Sequence, residues 1–159
     1  MTQRIKGIGR RGLLLSGAAA GVGALALSVP GAQAQSQRAE GPGGIEWLDY
    51  NPPRPFAAGA RVGNVVYLSG VGGSGTDITA QSEAAFQTIQ ASLTAFGSDL
   101  QYIFKMTVYF VNIADQPSFG EVRARHLPRP IVSTAVAITR LVGPDGLVEI
   151  DVMASIPNA

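Results

Sequence analysis

Arg61-Val62-Gly63-Asn64-Val65-Val66-Tyr67-Leu68-Ser69-Gly70 is the stretch that decides the fold. Val62-Gly63-Asn64 is a turn signal between two short apolar-rich runs, Phe56 to Arg61 and Asn64 to Ser69, so the pattern predicts a β-hairpin. Val65 to Leu68 is dense in strand formers. Gly70 to Gly75 is too rich in glycine for regular structure and is expected to run as a loop at the mouth of a cleft or as a flexible connection. Thr76 or Asp77 then caps a helix. From Ile78 to Phe96 the apolar positions Ala85, Ile89, Leu93 and Phe96 recur at helical spacing, with Gln81, Glu83, Gln87 and Gln90 assigned to other faces. Gly97 stops it.

Further along, Phe104 to Val111 carries apolar residues on both faces and is expected to be a central strand. A second helix is predicted from Pro117 to His126, with the proline in its first turn. Ser133 to Leu141 and Leu147 to Ser155 close the chain as strands joined by Val142-Gly143-Pro144-Asp145-Gly146. The order strand, strand, helix, strand, helix, strand, strand predicts an α+β fold, a mixed sheet with two helices on one face. With 46% hydrophobic residues, the opposite face calls for cover by self-association.

Charge divides the 159 residues unevenly. The net value is +1, yet residues 1–34 hold Arg4, Lys6, Arg10 and Arg11 with no acidic residue. That leaves eight positive against eleven negative groups, a net −3, in residues 35–159. An acidic body argues against nucleic-acid binding, which needs a surplus of cations to displace counterions from phosphates. Arg10-Arg11, the Ala- and Gly-rich apolar stretch to Val29, and Ala32-Gln33-Ala34 look like a twin-arginine export signal ending at a small-residue cleavage site. The alternative is an uncleaved membrane anchor over Gly12 to Val29. Cleavage is expected to leave a periplasmic product with no membrane partner. The domain plan is then 1–34 signal, 35–55 extended linker and 56–157 folded domain. Within the linker Trp47 and Tyr50 stand out as an aromatic patch, and simple packing is the preferred reading of it. Cysteine is absent and histidine occurs once, which excludes disulfides, thiolate metal sites and a cysteine nucleophile.

The run from Arg61 to Gly70, the helix ending in Phe96-Gly97, the strand Lys105-Met106-Thr107-Val108-Tyr109, and Ser133-Thr134 with Val148-Glu149-Ile150-Asp151 resemble the RidA (YjgF) family over residues 53–155. The resemblance implies a chorismate-mutase-like fold and a homotrimer with three clefts between subunits. It also implies hydrolysis of reactive enamines and imines to ketoacids and ammonia, with no metal or organic cofactor. An imino acid needs a cation for its carboxylate, best supplied by a bidentate arginine, and an acid or base to position the attacking water. In deaminating members the arginine lies in Pro-x-Arg-Ser-Thr or Pro-x-Arg-Ser-Cys, and the glutamate lies in an apolar-Glu-apolar-Glu strand.

Here Pro130-Ile131-Val132-Ser133-Thr134 keeps the frame with Val132 in the arginine's place, and Glu149 keeps the catalytic carboxylate. The family's Pro-Tyr-Ser becomes Pro55-Phe56-Ala57, its Ser-Gly-Gln becomes Ser69-Gly70-Val71, and the loop asparagine aligns with Ala114. These changes, all toward apolar residues, imply a cleft suited to a small neutral or cationic ligand. Phe56, Ala57, Val71, Ala114, Val132, Ser133 and Thr134 are its expected lining. Arg129 is a candidate substitute for the lost cation, with Arg54 a second. The plainer reading makes Arg123, Arg125 and Arg129 a solvated basic edge. Three function classes remain: a RidA-like hydrolase of a reactive imine, enamine or related small molecule, which is preferred; a non-catalytic small-ligand-binding trimer; and an interaction or scaffold protein using the trimer surface, with Trp47 and Tyr50 in its favour.

His126, at the expected helix end, reads as structural. No Gly-x-Ser-x-Gly elbow surrounds Ser69, Ser133 or Thr134, so serine hydrolysis is not expected. The glycines of 70–75 lack the Lys-Ser/Thr ending of a phosphate loop.

Overall fold

Two long strands of alternating burial form the centre of the molecule. In this computed structural model, which describes residues 37–49 and 55–157, β6 (Ile103–Phe110) and β8 (Val148–Ser155) pair antiparallel. Val148, Ile150, Val152 and Ala154 are buried, whereas Glu149, Asp151 and Met153 point the other way. Met106, Val108 and Phe110 match them on β6. This period-2 pattern puts one sheet face into a core and leaves the other open.

The remaining strands extend from this pair. β1 (Arg38–Glu40), β2 (Glu46–Leu48), β3 (Gly59–Val62) and β4 (Val65–Leu68) pair antiparallel in sequence, and β4 joins β8. The two-residue β5 (Val71–Gly72) pairs with β8 farther along. β7 (Val132–Ala137) runs parallel to β6 at the opposite edge. The order is β1-β2-β3-β4-β8-β6-β7, with β5 beside β8. The expected hairpin is β3-β4, closed by Gly63 at a φ of 61°, a left-handed conformation that suits glycine in a two-residue loop.

The helices, α1 (Ile78–Ala95) and α2 (Gln116–His126), contribute Ala85, Phe86, Ile89, Leu93, Phe119 and Val122 to the core. Asp77 caps α1, its carboxylate accepting the Ala80 N–H at 2.9 Å. Phe119 meets Phe110 edge-on at 5.3 Å between ring centres, which docks α2 on the central strand. The mixed sheet with two helices is the α+β class expected.

Three expectations change. The stretch from 35 to 55, read as a linker, supplies β1 and β2, and Leu48 is fully buried. Its charged and glycine-rich composition hid a strand because only one of its side chains reaches the core. β5 is regular despite its glycine, since β8 supplies the pairing that local propensity does not. β7 and β8 are not neighbours, because β6 lies between them. The export segment lies outside the described residues. Among those described, no helix is long and apolar enough to cross a membrane.

His126 stacks on Phe86 at 4.7 Å, and its Nε2 lies 2.6 Å from Glu83 Oε2. Arg125 hydrogen-bonds the other oxygen of Glu83. Hydrogen bonding from Arg125 first, and then from His126, holds the Glu83 carboxyl below its ordinary 4.5. A carboxylate lowered on folding adds stability above its unfolded pKa and loses it as pH falls through the folded value. Glu83→Gln should therefore cost about 1 kcal/mol at neutral pH. Thermal melts repeated well below pH 4.5 should show that difference closing.

Candidate functional site

Glu149 is held at the end of β8 where β5 pairs beside it, Gly72 opposite Glu149. The carboxylate rests directly on Gly70, and a Cβ at that position would collide with it. Gly73 in turn lies against the backbone of Gln81, where a side chain has no room. Glycine is therefore required at Gly73 by close approach of backbone, and the loop comes near enough to make one wall of a cavity of about 420 Å³. Gly72 to Gly75 form that wall and the loop from Leu141 to Gly146 faces them. Gln81, Val148 and Glu149 complete the lining. Glu149 and Asp145 are its ionisable side chains, and no lysine or arginine among the described residues lines it.

Gln81 joins the two walls. It is 3% exposed, and its Nε2 donates to Gly75 O at 3.1 Å and Asp145 O at 2.8 Å. Its Oε1 accepts the Leu147 N–H at 2.8 Å. The sequence reading placed Gln81 on a polar face. It occupies the buried stripe with Ala85, Ile89 and Leu93, and this spacing of four was the available signal.

Beside Glu149 on the open face, Tyr109 donates its hydroxyl to Asp151 Oδ2 at 3.2 Å, and the Thr107 N–H donates to Asp151 Oδ1 at 3.2 Å. The Asp151 charge, followed by burial, raises the Tyr109 phenol above its usual 10.0 and keeps it a donor. Lys105 Nζ lies 3.4 Å from Thr107 Oγ1, farther down the strand.

The other expected site residues fall into separate places on one chain. Phe56 and Ala57 line a second cavity with Trp47, Tyr67 and Ser69. Ser69 Oγ donates to Ala57 O at 2.7 Å and so ties that segment to the glycine loop. Val71 packs toward the hydrophobic core. Ala114 lies in a 3₁₀ turn after β6, its N–H donating to Asn112 Oδ1 at 3.1 Å. Ser133 is level with Met106 and lines a groove with Phe119 and Arg123 on the helix side, whereas Thr134 is level with Thr107. Val132 is 65% exposed beside Lys105. It lies two strands away from Glu149 and at the far end of β6 from it.

Arg129 does not approach Glu149 within a chain. Its guanidinium donates to Gln101 O and, at 2.6 Å, to Ile103 O. Ile103 starts β6, whereas Glu149 is level with Tyr109, about 20 Å along the strand at its usual rise. Arg123 donates to Arg129 O at 3.2 Å, so these arginines staple the chain after α2. Arg54 lies outside the described residues.

The family model described as Endoribonuclease L-PSP matches residues 49–156. No curated protein matches the chain significantly. Among solved structures the chain is similar to a YjgF/YER057c/UK114 family member from Mycobacterium tuberculosis, at 29% identity over 68% of this chain and 92% of that one, with a TM-score of 0.64. A Pseudomonas aeruginosa protein of unknown function matches at 27% identity over 67% of this chain and 85% of that one, with a TM-score of 0.63. A YjgF family protein from Neisseria meningitidis, at 20% identity over 72% and 97% with a TM-score of 0.65, is alike in fold.

Gln81→Leu keeps the volume and removes all three hydrogen bonds, so it should destabilise the protein by about 2 kcal/mol. Hydrogen exchange at the Leu147 amide should accelerate beyond the global change.

Proposed function

The chain belongs to the Endoribonuclease L-PSP family, which includes the YjgF and RidA proteins, and on that premise we propose that it hydrolyses a reactive imine, enamine or related small molecule. The observation that carries this reading is the Glu149 carboxylate, seated on Gly70 at the wall of a cavity that no lysine or arginine among the described residues lines. In the proposed reaction Glu149 takes a proton from water as the oxygen attacks the imine carbon. The C=N electron pair moves to nitrogen, which receives the proton. The resulting carbinolamine loses ammonia and becomes the carbonyl product. No metal or organic cofactor enters this scheme.

Val132 in place of the arginine expected from the resemblance, with Arg129 engaged elsewhere, disfavours a substrate held by its carboxylate. The same facts favour a second reading, a non-catalytic binder of a neutral or cationic small molecule. The ribonuclease activity in the family's name finds little support in a net −3 body and a cavity without lysine or arginine.

We further propose a homotrimer with intersubunit clefts. All six residues of β7 are exposed, and Val132, Ala135, Val136 and Ala137 leave an apolar edge without a guarding charge. Val132 lies two strands from Glu149 and at the other end of β6, and a second copy is the simplest means of bringing such residues together. The twin-arginine signal, its cleavage and a periplasmic location are part of the same proposal.

Ammonia release from imines generated in place by an amino-acid oxidase tests the activity. Glu149→Gln should lower it about 100-fold, the usual worth of a positioned general base. Activity that ignores Glu149 overturns the hydrolase reading, and saturable binding of a neutral molecule without turnover favours the second. Val136→Glu should shift the mass measured by light scattering from three chains toward one.

A further inference from the structure

Trp47, Phe56 and Tyr67 converge on a cavity of about 380 Å³ over the open face of the sheet. Register places them there: Trp47 is opposite Ala60, Ala60 opposite Tyr67, and Tyr67 opposite Met153. The small Ala60 and Gly59 make the floor between two aromatic walls. Phe56 is 62% exposed and Tyr67 41%, so both present ring surface outward. Among the described residues, the Tyr67 phenol is the ionisable side chain that lines the space. Trp47 comes from β2, ahead of the residues 49–156 that the family model covers.

One step along the backbone separates the lining of this cavity from the Gly70 that lies against Glu149. Ser69 lines the aromatic cavity, and the next residue, Gly70, carries the Glu149 carboxylate. The Ser69 hydroxyl is already donated to Ala57 O, so the junction presents little polar demand of its own. A cavity of about 150 Å³ is enough to take up benzene, so the space here admits an aromatic ring with room for a short tether. Aromatic walls favour a flat apolar group by burial and by offset or edge-on ring contact. A cationic nitrogen on the tether would be drawn toward the Glu149 charge and the ring faces, and an anion would be repelled by that carboxylate.

We propose that the Trp47–Phe56–Tyr67 cavity is an aryl-binding subsite, selecting arylalkyl amines and the imines derived from them for Glu149. The subsite rests on the reading of Glu149 as the working carboxylate. Trp47 is the sole tryptophan, so its emission reports directly on occupancy. The probes are 2-phenylethylamine, propylamine, benzyl alcohol and 3-phenylpropionate, titrated against the protein with selective tryptophan excitation.

2-Phenylethylamine should change Trp47 emission saturably, at least about tenfold more tightly than propylamine, a difference of about 1.4 kcal/mol. 3-Phenylpropionate should bind still more weakly. Phe56→Ala and Tyr67→Ala, both at exposed positions, should each weaken 2-phenylethylamine by about fivefold or more. Glu149→Gln should erase the preference for the amine over benzyl alcohol while the aryl response persists. No saturable response, equal binding of propylamine, or indifference to both aromatic substitutions overturns the subsite. So does emission that shifts with protein concentration alone and is unaffected by probe, because a second copy of the chain would then fill the cavity. An aryl response without ammonia release removes the hydrolase reading and keeps the subsite. Ammonia release without an aryl response does the reverse.

Discussion

The alternation of β8 is the constraint on which the rest of the molecule depends. Val148, Ile150, Val152 and Ala154 go into the core, and Glu149, Asp151 and Met153 take the other face. A slip of one residue against β6 or β4 would bury both carboxylates and expose the apolar set, so core packing and site placement share one register. The helices add force to that choice through Phe86, Phe119 and Phe110, which lock α1 and α2 onto the buried side. Position of the Glu149 carboxylate is in this sense a consequence of hydrophobic burial more than of any polar contact of its own.

Local placement of the cavity needs more than the strand. Two loops of low intrinsic order, 70–75 and 141–147, must be held near one another over Glu149. Gln81 does this from the buried face of α1, a rigid element, by pairing with backbone groups of both. A glutamine suits the task because one amide both donates and accepts, and a carboxylate or an ammonium cannot. Gly70 and Gly73 complete the arrangement by leaving room for the Glu149 side chain and the first turn of α1. The cavity is thus built from a side chain that reaches and two that are missing.

Much of the fold was legible because it is written in periodicity. The hairpin around Gly63, the α1 stripe, the central β6 and the capping Asp77 all rest on local signals that tertiary structure reinforces. β1 and β2 were not legible, since Arg38-Ala39-Glu40 and Glu46-Trp47-Leu48 offer one buried residue and a cross-strand ion pair between Arg38 and Glu46 in place of an apolar pattern. Gln81 was missed because residue type was weighed above position, and a glutamine on a buried stripe looks like a surface residue until its partners are known. Partnering of β6 with β7 in parallel is a long-range fact that neither strand states alone. Of the site, Glu149 and the glycine loop were readable together. The dispersal of Phe56, Val132 and Ser133 over separate places on the chain was not, because a motif preserves sequence order and carries no information on strand order in the sheet.

The absent cation has a physical consequence that reaches past the identity of one residue. Arg129 is held by the Gln101 and Ile103 carbonyls, and withdrawing it would strand those acceptors while moving a charge across much of the sheet. Lys105 is committed near Thr107, toward the same distant end. On the open face Asp151 is the next outward residue after Glu149 on β8, and Tyr109 supplies a neutral donor beside them. At a separation of about 4 Å and an effective dielectric of 20, two unit charges interact by about 4 kcal/mol. Exchanging an attractive partner for a repulsive one at such a site can change which sign of ligand is admitted, with the fold left intact. The same sheet can thus hold Glu149 in place while the charge around it changes, and Phe56 and Val132 are apolar where the resemblance implies polar side chains.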